Sequence, residues 1–338
     1  MILLGYAGNA ETITEQDAKM LSHINVAFGR LTSEGRIHIS HLNMNDRLSQ
    51  IRAWNPGIKV LISIVPEQDH SNAFTKCAAS ADLRKRVARS CVEIIDQYGY
   101  DGVDFDWEYP CVPSNGMDSA PEDKHNFTLL CSAVRKAIDG LCGGGLLTIA
   151  AGADLYYAES VELSALADIL DYICLMTYDL KCGFHALAGH HTQLFSSTGD
   201  VFRNSCDQAL RLFCDYGFPK EKLLMGAAFY SRKWENVTNR NHGLLQISPK
   251  GGGYGPGFTD LSENWIDKRG YTRYWDDEAK APYLFDGSTF ISYDDEASIA
   301  HKAAYVAENG YGGIFYWEHR SDPSRRLLNA LYNGLRKA

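Results

Sequence analysis

The sequence predicts an α/β protein: a (β/α)8 TIM barrel with a small α+β insertion domain after the seventh strand. Three observations predict it. Eight short apolar runs recur along the 338 residues. Segments of helical period separate them, for example Asp82 to Tyr98, Glu122 to Ile138 and Val201 to Tyr216. One interval breaks that alternation, Ser231 to Ser292, where no helix of barrel type is legible.

Taken in order, ILLGYA reads as the first strand and HINVAFG as the second. KVLISIV and GVDFDWE are the third and fourth, LLTIAAG, YICLMTY and LLMGAAFY the fifth to seventh, and GGIFYWE the eighth. Eight strands with intervening helices predict a closed parallel sheet. The interrupting stretch holds PKGGGYGPGF, many aromatics and a strand-like STFIS. The division is therefore residues 1–230 and 293–338 for the barrel and 231–292 for the insertion. Without the insertion the chain is near the roughly 250 residues typical of such barrels. No internal repeat is visible, and the glycine runs at 143–145 and 251–253 read as loops.

Composition narrows the function. Apolar residues make up 45% and charged residues 22%, ordinary for a globular protein. A net charge of −9 argues against nucleic acid or an anionic membrane as partner, whereas a neutral sugar is indifferent to it. No apolar stretch is long enough to span a membrane. Nine cysteines with no CxxC pair predict unpaired thiols and a reducing compartment, and no Cys/His spacing predicts a metal. MILLGYAG lacks a basic segment and has too short an apolar run for a signal peptide, so a cytoplasmic protein is expected; a secreted form with a trimmed signal would read the same. No cofactor is expected, and a monomer is.

The fourth strand carries the chemistry. Side chains alternate faces along a strand. Val103, Phe105 and Trp107 therefore face the helices, and Asp104, Asp106 and Glu108 face the barrel interior. Neighbours on that face stand about 6.6–6.8 Å apart. Three partly buried carboxyls cannot all ionise cheaply, so at least one proton is shared. Glu108 lies at the C-terminal end, where barrel active sites sit, and a raised pKa suits a general acid. The plainer reading is a structural network neutralised by basic residues, but no other strand offers an obvious inward base. Asp101 falls on the opposite face and reads as structural.

DGVDFDWE resembles the DxxDxDxE signature of family 18 glycoside hydrolases, the chitinase family. LMTYD at 175–179, FYSR at 229–232 and GGIFYWE at 312–318 resemble further motifs of that family in the same order, as do GYAG and NVAF near the start. YWDDEAKAPYLF and FISYDDEASIAHKAAYV resemble its small insertion and following helix. The resemblance spans essentially the whole chain. One departure stands out: the usual Ser-x-Gly-Gly of the third strand is Ser63-Ile64-Val65-Pro66. Pro66 restricts Val65 and removes a donor, so the following loop and the non-reducing-end subsites are expected to differ.

Glu108 and Asp106 share one strand face and do not flank a sugar, so an enzyme nucleophile is missing. Family 18 is a recognised substrate-assisted exception to the two-carboxylate scheme. The resemblance implies that Glu108 protonates the leaving oxygen and later activates water. It implies that Asp106 orients the acetamido N–H, that Asp104 shares its proton, and that Tyr178 donates to the acetamido oxygen. Asp179 would fix a distorted sugar over a Trp317 floor. Tyr230 and Arg232 look like substrate contacts, as do Phe28, Tyr109 and Met176, with Tyr6 and Ser63 as deep partners of the acids. The implied activity is hydrolysis of β-1,4-linked N-acetylglucosamine oligomers or polymer. The alternatives are an endo-β-N-acetylglucosaminidase on glycoprotein glycans or peptidoglycan, and a non-catalytic chito-oligosaccharide-binding lectin; the intact acids tell against the lectin.

Other conspicuous residues read blandly. His185, His190 and His191 are too loosely spaced for a metal and read as solvated or substrate-rim groups. Trp54 packs beside a turn. Of Trp234, Trp265 and Trp275, one could stack on a sugar while the rest fill the insertion. The glycosylation patterns at Asn126 and Asn236 carry no meaning in a cytosolic chain.

Overall fold

A computed structural model describes residues 1–8, 13–68, 71–114 and 116–337, without the side chains of Asn45 and Lys337. The barrel strands are β1 (Ile2–Ala7), β2 (His23–Leu31), β4 (Lys59–Pro66), β5 (Gly102–Asp106), β6 (Leu146–Gly152), β7 (Tyr172–Met176), β8 (Leu223–Ala228) and β14 (Gly313–Trp317), with a short β3 (Ile37–His38) antiparallel to β2. All eight lie where the apolar runs place them. Each pairs in parallel with its neighbours, and the β1–β2 pairing closes the sheet.

Alternation divides the core into two shells. Inside the barrel Leu4, Tyr6, Ala27, Tyr172, Cys174, Leu224 and Phe315 pack together. Outside, apolar side chains meet the helices, and β5 shows the principle. Trp107 stacks on Phe74 at 5.1 Å between ring centres, Phe127 meets its edge at 5.3 Å, and Phe105 also touches Phe74. The helix Ala81–Tyr98 delivers the chain to β5. The Ser80 hydroxyl caps its start, and Gly99 ends it at φ 75, where a side chain would be strained. Asp101 then accepts from Arg52 at 2.8 Å, Lys59 at 3.2 Å and the Val60 amide at 2.9 Å, pinning the strand entry on the outer side as its parity predicts.

One helix differs from expectation. The pattern from Val201 resolves into a helix over Cys206–Asp215 alone, because Ser205 takes the N-cap position and accepts from the Gln208 amide. Residues 201–204 stay outside it. Phe202 donates its amide to Asp200 at 3.1 Å, and Gln193 holds the Asn204 carbonyl.

After β8 the chain forms a second, antiparallel sheet: β9 (Tyr230–Trp234), β10 (Gly253–Gly257), β11 (Thr272–Asp276), β12 (Ala281–Phe285) and β13 (Phe290–Ser292), in the order β10-β9-β13-β12-β11, with a helix over Phe258–Asn264. Trp234, Tyr283 and Phe290 anchor its own apolar cluster. The β9 strand starts two residues beyond the end of β8, so the second sheet grows from the rim of the barrel mouth.

Candidate active site

The register of β4, β5 and β6 sets Ser63 and Thr148 on either side of Asp104. Ser63 donates to Asp104 Oδ2 at 2.7 Å, Tyr6 at 2.8 Å, and Thr148 donates to Oδ1 at 2.7 Å. Three hydroxyls thus satisfy a fully buried carboxylate from three strands. Burial still raises its pKa, against the pull of those donors. Asp106 has no such support: its Oδ1 is buried without a hydrogen-bond partner. Burial first, then the charges of Glu108 and Asp104, push its pKa well up. Asp104 is occupied by hydroxyls, and Asp106 feels Glu108 more strongly than Asp104.

Glu108 sits one step higher. Burial raises its pKa, the Tyr109 hydroxyl opposes that rise, and the charge of Asp179 adds to it. An acid held above the ordinary carboxyl range can retain its proton nearer neutrality. Replacing Tyr109 with Phe removes the opposing hydrogen bond. The pKa of Glu108 should then rise further, and the alkaline limb of the kcat/KM–pH profile should move to higher pH. An unmoved limb would show that Tyr109 does not tune Glu108.

Asp179 follows β7 with φ 57. Arg232 of β9 grips both its oxygens, Nε at 2.6 Å and the terminal nitrogen at 2.5 Å. Burial alone would raise its pKa; the Arg232 guanidinium outweighs burial and holds the carboxyl far below its usual range. Tyr178, beside it, is kept a protonated phenol by burial and by the charges of Asp106 and Glu108. Its ring lies against Phe315 and Tyr230, and Gly226 leaves it room, since a Cβ there would approach the ring to 3.0 Å. Trp317 ends β14, stacked on Phe28 at 5.6 Å and tilted against Tyr6 at 5.7 Å.

These groups line one open cleft of about 800 Å³ at the C-terminal mouth of the barrel. It brings together Tyr6, Phe28, Asp106, Glu108, Tyr109, Met176, Tyr178, Asp179, Tyr230, Arg232 and Trp317; Asp104 and Ser63 lie buried beneath. Several lining residues escaped the sequence reading. Phe184 stands 96% exposed and Tyr254 71%, both at the cleft wall, a form suited to stacking on a sugar face. The Tyr254 ring lies 3.7 Å from the Arg232 guanidinium carbon. Neither Trp234, Trp265 nor Trp275 lines the cleft, so the second sheet offers a tyrosine there instead. Thr148 had a signal in the parity of LLTIAA. Phe184 had none, because loop residues follow no period; Tyr254 stands on β10, a strand of sequence GYGPG with no apolar alternation to mark it.

One expectation needs correction. His190 and His191 are not solvated but buried; among the three histidines His185 lines the cleft. His190 Nε2 lies 3.1 Å from Asp276, and His191 Nδ1 lies 3.5 Å from Asp179. Burial follows from the fold of the insertion, which covers this loop: Ser292 of β13 accepts the His191 amide at 2.9 Å. At the third barrel strand, β4 runs through Pro66, with Val65 extended as the proline predicts. Val65 pairs with Arg30 and Pro66 with Leu31, and the Glu67 amide reaches the Leu31 carbonyl at 2.9 Å. The long β2 supplies the partner, and Val65 and Arg30 both line the cleft. Among the described residues no three His, Cys, Asp or Glu side chains converge as a metal site would require, and no helix is long and apolar enough to cross a membrane.

Comparison with known proteins gives the family and the fold. The chain is 46% identical to a solved family 18 N-acetylglucosaminidase from Paenibacillus barengoltzii, with a TM-score of 0.94 over 98% of this chain and 99% of that one. A chitinase from Bacillus thuringiensis superposes with a TM-score of 0.90 at 29% identity, covering all of this chain and 70% of that one. Chitinase A1 of Niallia circulans is 39% identical over 311 residues, 86% of this chain. The chain spans about half the length of the curated relatives it matches, 44% of chitinase A1 and 51% of an endochitinase of Manduca sexta. The family model for glycosyl hydrolases family 18 matches residues 2–322, and on that match the chain belongs to family 18 of the glycosyl hydrolases.

Proposed function

We propose that this chain hydrolyses β-1,4-linked N-acetylglucosamine chains, with oligosaccharides and chain ends as its preferred substrates. The reaction retains configuration and passes through an oxazolinium formed by the substrate's own acetamido group. One observation carries the reading. The carboxylate that approaches Glu108 from β7, Asp179, is gripped on both oxygens by Arg232 and is a poor nucleophile. The deep carboxyl beside Glu108, Asp106, lies on the same strand face and keeps a free buried oxygen. Asp106 lines the cleft and can accept an acetamido N–H, and the Tyr178 phenol can donate to the acetamido oxygen. In the step so assigned, Glu108 gives its proton to the leaving oxygen as the acetamido oxygen closes on the anomeric carbon. Glu108, now ionised, then takes a proton from the water that opens the oxazolinium ring.

The relatives support the substrate class. Chitinases recur among them, and the Paenibacillus neighbour, matched end to end, is described as an N-acetylglucosaminidase. The latter favours short chains over a polymer surface. The test is a chitotetraose digest followed by proton NMR at early times. Release of β-anomeric product supports the assignment; α-anomeric product would rule out net retention. Binding without cleavage would point to a lectin, and cleavage of glycoprotein but not chitotetraose to the endo-β-N-acetylglucosaminidase alternative. Tyr178→Phe should slow turnover by about 10²–10³-fold, as loss of a preorganised donor does; an unchanged kcat would remove Tyr178 from the chemical step.

A further inference from the structure

We propose that His191 is a positioning residue, which holds Asp179 in the conformation that presents its carboxylate, with Arg232, to the sugar over Trp317. The inference rests on the reading that Asp179 contacts that sugar.

His191 is fully buried and belongs to none of the groups that meet the cleft. A buried polar ring is costly unless it is bonded. The bonds that it makes all converge on one place. Its Nδ1 faces the Asp179 amide at 3.4 Å and Asp179 Oδ1 at 3.5 Å. Its carbonyl accepts the Leu180 amide at 3.0 Å, so the imidazole and the backbone of His191 address consecutive residues. Its own amide is fixed to Ser292 of β13, and its ring meets the edge of Tyr230 at 5.2 Å. His191 thus ties the end of β7 to two strands of the second sheet.

The tie bears on Asp179 because of its backbone. At φ 57 this residue occupies the left-handed region, which an L-residue other than glycine adopts only at a cost. The Arg232 pair holds the carboxylate but not the backbone; the His191 ring is the contact that reaches the Asp179 amide. Accepting that amide at Nδ1 puts the ring proton on Nε2, which has no partner in its buried site. Burial, and secondarily the Arg232 charge, lower the pKa of His191 against the pull of Asp179 and Asp294, so the ring stays neutral and able to accept.

The experiment compares wild type, His191→Phe and His191→Asn. Phe keeps an aromatic ring against Tyr230 and lacks any acceptor; Asn is smaller but carries one. On chitotetraose, His191→Phe should lose about 10²-fold in kcat, with KM changed far less, as a misplaced catalytic environment does. His191→Asn should recover most of that loss. Equal activity of the Phe variant and wild type, or Asn as impaired as Phe while both remain folded, would overturn the proposal. Crystal structures of the variants read Asp179 directly, whatever the substrate. Asp179 should leave the left-handed region in His191→Phe and remain there in His191→Asn. An unmoved Asp179 in the Phe variant would overturn the proposal even if wild type failed to cleave chitotetraose, a failure that would count against the proposed function instead.

Discussion

Glu108→Gln is expected to reduce kcat on chitotetraose by about 10²–10⁴-fold, the usual worth of a positioned acid–base group. At about 1.4 kcal/mol per decade this is roughly 3–6 kcal/mol of transition-state stabilisation. Gln preserves shape and removes both roles of Glu108, the proton for the leaving oxygen and the base for water. It also removes a charge that raises the pKa of Asp106. Ground-state binding should therefore survive, and KM should change much less than kcat. Isothermal titration with chitotetraose and a progress curve on the same protein separate the two. A Gln variant as active as wild type would end the assignment of Glu108 as the acid.

Lys302→Met should produce the largest loss of stability, about 3–5 kcal/mol, because it strands a buried charge. Lys302 and Asp294 form a pair at 2.6 Å with side chains 0% and 1% exposed. Lys302 also donates to Thr192 at 2.7 Å, and Thr192 donates to the Thr177 carbonyl at 3.0 Å. Asp294 further accepts the Ala228 amide at 3.2 Å and the Ser298 hydroxyl at 2.7 Å. The pair thus braces the end of β8, which leads into Tyr230 and Arg232 of β9, and the loop after β7, which carries Tyr178 and Asp179. Against a total of about 5–15 kcal/mol, such a loss approaches global unfolding. Urea denaturation measures it directly. Adding Asp294→Asn, which removes the stranded charge and keeps an acceptor, should recover most of it. A single variant as stable as wild type would show that solvent reaches Asp294.

Much of this protein is legible because alternation along a strand is a local property. The parity of 103–108 assigns Phe105 and Trp107 to the helices and the three acids to the interior before any neighbour is known, and the structure places them so. Asp101 follows by the same rule. The resemblance adds the residues that arrive from other strands, and the cleft gathers eight of them beside Asp106, Glu108 and Tyr109. Loop residues obey no such rule. Phe184 faces the cleft, and Val201 to Asn204 leave a helix that their apolar pattern alone would extend.

What the sequence by itself determined was therefore the order of the barrel elements and the identity of the acidic face, both set by short-range periodicity. What only the tertiary structure decided was which groups neutralise and aim that face. Asp104 finds hydroxyls on β1, β4 and β6. Asp179 finds Arg232 across 53 positions of chain, and His191 finds Ser292 across 101. Burial of His190 and His191 has the same origin, since a polar side chain on a loop becomes interior once another sheet covers it. Such contacts form when the barrel closes and the second sheet packs on its rim, and no local pattern of residues encodes the partner that closure supplies.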